Sequence, residues 1–157
     1  MDFKFTEENL SRIESVRKKY PDSKAALMPV LYIAQEQNGY ITREVMDEVA
    51  LVLGIKAVDV LGVATFYTMY HTSPVGKYHL QVCTNVSCML KGGYEMLEET
   101  VKKLGIGVNE VTPDGKFSIE EVECMGSCGT APMMAVNNDY FENLTKEKLN
   151  EILDSLK

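Results

Sequence analysis

The stretch Tyr78-His-Leu-Gln-Val-Cys83-Thr-Asn-Val-Ser-Cys88 is where the chain changes character. Tyr78, Leu80 and Val82 alternate with polar residues, the period of a half-buried strand, and the strand runs straight into Cys83. Four residues separate Cys83 from Cys88, and a second pair, Cys124-Met-Gly-Ser-Cys128, lies 35 residues further on with three residues between its thiols. These four are the only cysteines in 157 residues, so a site that uses them together must draw two distant loops to one point. Four thiols with no surplus point to a four-thiolate metal site. Structural zinc sites favour short C-x2-C knuckles, dithiol redox enzymes use C-x-x-C, and four thiolates at other spacings suit a [2Fe-2S] centre. Spacing alone therefore favours an iron–sulfur cluster and leaves zinc and disulfides open.

Upstream of this stretch the apolar period is helical. Thr6 predicts an N-cap for a helix carrying Leu10, Ile13, Val16 and Tyr20 inward until Pro21. A second helix is expected over about 24–37, with Leu27, Val30, Leu31 and Ala34 inward and Gly39 closing it. Pro29 requires that helix to kink or to begin later. Thr42 should cap a third helix through Leu53, ended by Gly54, and a fourth should run from about Ala57 to Tyr70. Downstream, helical periodicity covers 89–104, a second strand covers Phe117 to Val122, and 133–136 and 140–141 flank an Asn137-Asn138-Asp139 turn. Thr145 should cap a last helix whose buried stripe is Leu149, Ile152, Leu153 and Leu156. The residues by themselves predict two domains, a helical bundle over 1–74 and an α/β (α+β) domain over 75–157 with a small mixed sheet in the order β-α-β-β-α. The boundary falls at 73–76, Ser-Pro-Val-Gly.

Composition narrows the function. The net charge is −7, of which −5 falls on residues 77–157. No basic patch is present to neutralise a row of phosphates, which argues against nucleic-acid binding. Polar residues interrupt every hydrophobic run before membrane-spanning length, so no direct membrane insertion is expected. The start, Met1-Asp-Phe-Lys-Phe-Thr-Glu-Glu, lacks the features of a signal or transit peptide. Cytoplasmic residence follows as the expectation, with attachment to the cytoplasmic face of a membrane only through a larger complex. Reduced thiols fit that compartment.

The run Phe117-Ser-Ile-Glu-Glu-Val-Glu-Cys124-Met-Gly-Ser-Cys128-Gly-Thr-Ala131-Pro132, with Cys83-x4-Cys88-Met-Leu-Lys-Gly92 and Gly62-Val-Ala-Thr-Phe-Tyr67 upstream, resembles the 24 kDa (E) subunit family of NADH dehydrogenase complex I. The resemblance spans nearly the whole chain in order. Its members also serve as the small subunit of NAD-linked and electron-bifurcating hydrogenases and of formate dehydrogenases. The resemblance implies a thioredoxin-like [2Fe-2S] ferredoxin domain with Cys83, Cys88, Cys124 and Cys128 as cluster ligands. It also implies an FMN/NADH-binding flavoprotein partner, with further Fe-S subunits, in which FMN and NADH reside. By itself Pro132 reads as a strand-entry residue with a trans bond, while the same resemblance admits a cis Ala131–Pro132 bond.

Other residues are weighed against that frame. Gly92 and Gly93 are expected near the N-terminus of the long helix, whose free amides favour negative charge, and Gly126 and Gly129 are expected to let the backbone turn around the sulfurs. Met125, Met133 and Met134 should exclude water, and Glu120, Glu121 and Glu123 should add negative charge nearby. The Phe66-Tyr67-Thr-Met69-Tyr70 run reads as core. His71 and His79 read as structural or surface residues, because four cysteines already complete a ligand set. The sequence has no G-x-G-x-x-G, no phosphate loop and no nucleophile set that the cysteines leave free. The expected role is thus an electron carrier inside an NADH-oxidising oxidoreductase with no active site of its own. A free-standing ferredoxin-type carrier and a zinc-stabilised interaction module are the alternatives.

Overall fold

The computed structural model describes residues 3–156; Met1 and Asp2, part of the N-terminal stretch read above, and Lys157 lie outside the described residues. The chain divides into two compact units, Met1–Pro74 and Val75–Lys157.

The first unit holds four helices, α1 (Glu7–Arg17), α2 (Leu27–Asn38), α3 (Arg43–Leu53) and α4 (Ala57–Phe66). Thr6 caps α1 by accepting from the Asn9 amide at 3.2 Å. Glu7 and Glu8 in its first turn and Arg17 in its last complement the helix dipole. Pro29 does not kink α2. The helix starts at Leu27, so the proline falls in the first turn, where amides have no intrahelical partner to lose. Ile13, Leu31, Val30, Val45, Val49 and Leu53 form the centre of this unit's core. Leu10 and Tyr20, expected inward, are exposed: α1 turns Asn9, Ile13 and Val16 inward, with Leu10 off that face, and Tyr20 lies beyond its end at Arg17.

Two further expectations fail in α4. The helix ends at Phe66, four residues early, and the aromatic run is not core: Phe66, Tyr67 and Met69 are exposed and only Tyr70 is buried. The backbone turns extended at Tyr67, which ends α4, and Tyr70 donates its hydroxyl to the Met28 carbonyl at 2.8 Å. Thr42 caps α3 by accepting from the Val45 amide. Thr42→Ala is expected to cost about 1 kcal/mol and to lower the unfolding midpoint by roughly 2–6 °C. A thermal melt read by circular dichroism checks this, and an unchanged midpoint would remove the capping role.

The second unit is β1 (Tyr78–Cys83), α5 (Val86–Leu90), α6 (Gly93–Leu104), β2 (Phe117–Val122), β3 (Met134–Val136), β4 (Asp139–Phe141) and α7 (Lys146–Ser155). It contains one strand more than the expected order, since the hairpin after Pro132 contributes two. The sheet order is β2-β1-β3-β4, with β1 parallel to β2 and antiparallel to β3, and β4 antiparallel to β3. Leu80, Val82, Ile119 and Met134 pack in one core with Leu97 of α6 and Leu149 and Leu153 of α7. Asn137 takes a φ of 53° and turns the β3–β4 hairpin. The helical stretch expected from Met89 is two helices, broken at Gly92, whose φ of 96° no helix admits.

A polar cluster also joins β1 to β2 on the sheet face opposite Leu80. The buried His79 faces Ser118 Oγ from Nδ1 at 2.8 Å and the Glu120 carboxylate from Nε2 at 2.8 Å. Gln81 donates to the same carboxylate at 2.9 Å. His79 is therefore structural. Gly76, just ahead of β1, has no room for a side chain, because a Cβ there would meet the Phe117 carbonyl carbon at 2.4 Å.

Candidate metal centre

β1 and β2 are parallel neighbours, so their C-terminal ends lie side by side, and each end releases a cysteine loop. Cys83 is the last residue of β1 and pairs in register with Val122, two residues before Cys124. The Thr84 amide donates to the Val122 carbonyl at 3.2 Å, extending the pairing past the strand. Asn85 then caps α5, which carries Cys88 back to lie against the 3₁₀ turn Cys128–Thr130. The Cys83 amide donates to the Met133 carbonyl at 3.3 Å and so ties β1 to the segment after the second pair. Parallel pairing thus brings together the two loops that 35 residues separate.

All four cysteines are free thiols in this structure. They divide by exposure. Cys83 and Cys88 are buried and Cys124 and Cys128 are exposed. Met133 packs with the buried pair, and Val122, Met125 and Ala131 close around it. Met134, expected in this shell, points to the opposite face and joins the main core of the sheet. Ala131–Pro132 is cis.

Burial pushes the Cys88 thiol up to about 11, and its hydrogen bond with Cys83 and the neighbouring Cys83 and Cys128 sulfurs act in the same direction. A contact with the Met133 backbone works against them. Left alone, such a thiol stays protonated. A cation bound among the sulfurs reverses this, since a coordinating thiol gives up its proton outright. The Gly126 amide points at Cys124 Sγ at 3.3 Å, a donor that stabilises a thiolate. Among the described residues no three His, Cys, Asp or Glu side chains are grouped as for a single metal ion. A [2Fe-2S] centre distributes its four thiolates over two irons and asks for a wider cradle. Four soft donors, an apolar inner wall and inward-directed amides fit that group.

Gly93 marks the tightest approach among the glycines beside the cysteines. A Cβ there would lie 2.8 Å from the Cys83 carbonyl oxygen and 2.9 Å from the Cys88 carbonyl carbon. Nothing lies within 4 Å of a Cβ on Gly126 or Gly129, and Gly126 is required by its φ of 77° alone. Of the polar loop residues, Thr84 donates to Glu121 Oε1 at 2.7 Å, and Glu120 is engaged by His79 and Gln81. Glu142 is the residue that sequence reading passed over. It accepts from the hydroxyls of Ser127 and Thr130, and these two bonds, in that order, hold its carboxyl below the usual range. A lone glutamate after a short strand carries no spacing signal that marks it.

No helix among the described residues is long and apolar enough to cross a membrane. The model of the thioredoxin-like [2Fe-2S] ferredoxin family matches residues 13–157. The chain is 46% identical over 145 residues to an E-type NADH-quinone oxidoreductase subunit of Rhizobium meliloti, covering 92% of this chain and 86% of that one. It is 44% identical to the mitochondrial NADH dehydrogenase [ubiquinone] flavoprotein 2 of Dictyostelium discoideum, over 99% of this chain and 64% of that longer protein. A solved NAD+-reducing [NiFe]-hydrogenase in its H2-reduced state shares the fold, with a TM-score of 0.69 at 15% identity over 80% of this chain and 22% of the hydrogenase chain. The relatives similar in sequence are oxidoreductase subunits, and the mixed α/β architecture with its parallel β1–β2 pair agrees with the matched family. The chain therefore belongs to the thioredoxin-like [2Fe-2S] ferredoxin family, in the branch formed by the E-type subunits of NADH-quinone oxidoreductase.

Proposed function

We propose that this chain is the [2Fe-2S] electron-transfer subunit of an NADH-linked oxidoreductase complex, with Cys83, Cys88, Cys124 and Cys128 as the cluster ligands. The ligands all belong to residues 75–157, the thioredoxin-like cluster domain, and residues 1–74 are a helical bundle that supplies none. The observation that carries the reading is that parallel β1 and β2 end side by side, one at Cys83 and the other two residues before Cys124, so that each releases a cysteine loop at the same edge. Such a cluster supplies a one-electron carrier whose potential depends on charge, hydrogen bonds and exposure. The protein's part is to hold and insulate it. Cys83 and Cys88 anchor the inner side, Met133 and Met125 keep water away, and Cys124 and Cys128 form the outer side.

The outer side is also where electrons enter or leave. Around it the exposed apolar side chains Val86, Met89 and Leu90 stand on α5 next to Cys88, and 125–127 lines the second loop. Contiguous exposed apolar surface beside a site marks a docking face. The partner is an FMN- and NADH-binding flavoprotein subunit, with further Fe-S subunits beyond it in the same complex on the cytoplasmic side. Hydride chemistry belongs to the flavin, which accepts electrons in a pair and hands them on singly.

Stopped-flow mixing tests this reading. The purified chain mixed with NADH is expected to keep its visible absorbance and to leave NADH unoxidised. With the flavoprotein subunit added, the absorbance should fall within the mixing experiment. Rapid bleaching by NADH of the chain alone, with no flavin detectable, would overturn the assignment.

A further inference from the structure

The loop that carries Cys124 and Cys128 is the least supported part of the centre. Both cysteines are exposed, nothing packs on Gly126 or Gly129, and its only regular structure is a three-residue 3₁₀ turn. A segment with so few buried contacts opens easily, yet it has to hold two sulfurs in place. Hydrogen bonds must supply what packing does not.

They converge from one short segment. Glu142 Oε1 accepts from the Ser127 hydroxyl and from the Thr130 hydroxyl at 2.6 Å, so that one oxygen grips the residues on either side of Cys128 and Gly129. The Asn143 amide donates to the Thr130 carbonyl at 2.7 Å and the Leu144 amide to the Pro132 carbonyl at 3.0 Å. This segment is itself anchored, because Leu144 is buried in the main core of the unit. Lys148 of α7 donates to the Glu142 carbonyl as well. Hydrogen bonds to a carboxylate are the strong ones of their kind.

We propose that Glu142 is the positioning residue of the exposed half of the centre: its carboxylate clasps the arc from Ser127 to Thr130 and thereby sets Cys128, and through the short loop Cys124, in the ligating arrangement. The inference deepens the function proposed above and rests on the four cysteines being cluster ligands. Its effect is on how long the centre is retained. Glu142→Gln keeps an acceptor oxygen and loses the charge, whereas Glu142→Ala loses both, so the two variants separate clasping from electrostatics.

The test uses the full chain with its cluster assembled and follows iron release to a chelator. Iron content and visible spectrum of the wild-type protein come first, and a wild-type chain that assembles no cluster overturns both the functional reading and this inference. With the cluster present, Glu142→Ala is expected to release iron about five- to tenfold faster than wild type. Ser127→Ala, Thr130→Ala and Glu142→Gln should each fall between, since each keeps part of the clasp. The unfolding midpoint of the cluster-free chain should fall by only a few degrees and should not rank the variants as the release rates do, a result that a merely structural role would not produce. Release from Glu142→Ala at the wild-type rate overturns the proposal while leaving the ligand assignment intact. So does release from Glu142→Gln as fast as from Glu142→Ala, or faster release that only tracks a loss of stability in the cluster-free chain.

Discussion

Cys88→Ser is expected to yield a protein nearly free of iron and without visible colour. Cys88 is 3% exposed and packs with Cys83 and Met133. Serine offers a hard oxygen where a soft thiolate is needed. In this apolar wall its hydroxyl also has no water to satisfy it. Altering a residue that merely supports a ligand typically costs about 10–100-fold in metal affinity, and replacing the ligand itself should cost more. Cys124→Ser is the informative contrast. There the side chain is exposed and the Gly126 amide remains available to a serine oxygen, so part of the iron should persist with a shifted spectrum. Iron per chain and the absorption spectrum decide the matter. Full iron with an unchanged spectrum in Cys88→Ser would strike that residue from the ligand set.

Gly93→Ala is expected to damage both stability and the centre, although it removes no ligand. The added methyl would lie 2.8 Å from the Cys83 oxygen and 2.9 and 3.0 Å from the Cys88 carbonyl carbon and oxygen. All three are backbone atoms of proposed ligands, so no flexible side chain can give way. The start of α6 must retreat from the end of β1, or α5 must shift. Overpacking of this kind costs about 1–3 kcal/mol, which lowers the unfolding midpoint by roughly 4–12 °C. Iron retention should fall in the same variant. Gly129→Ala is the control: it sits beside Cys128, but nothing lies within 4 Å of its Cβ. Its effect should stay within about 0.5 kcal/mol. A Gly93→Ala protein that melts and binds iron like wild type would show that α6 can move without cost.

Local rules made much of this molecule legible before its structure. Thr6, Thr42 and Thr145 mark helix starts because a side-chain oxygen after an extended residue satisfies a free amide, a rule that needs no tertiary context. β1 and β2 were legible for a similar reason, since alternation in Tyr78–Val82 and an apolar start at Phe117 are properties of the strands themselves. The four cysteines stood out because their number and spacing restrict what chemistry can use them. The family resemblance supplied the thioredoxin-like fold and the expectation of a flavoprotein partner, which spacing did not.

What remained hidden depends on neighbours distant in sequence. The aromatic run at 66–70 has the composition of a core segment, yet burial is set by what packs against it, and there only Tyr70 finds an acceptor at Met28. Helical periodicity continued through Gly92, because periodicity counts side chains while a φ of 96° is a property of the backbone. Met133 and Met134 are adjacent in sequence and point to opposite faces of the sheet, so one borders the thiols and the other the main core. The difference between buried Cys83 and Cys88 and exposed Cys124 and Cys128 follows from the same cause. Glu142 lies 14 residues beyond Cys128 and meets Ser127 and Thr130 only after the β3–β4 hairpin has folded back. The sequence by itself determined which residues are proposed to carry the chemistry and most of the elements around them. Tertiary structure alone decided which sulfurs are shielded and what steadies the rest, because burial and long-range hydrogen bonds come into being only when distant segments meet.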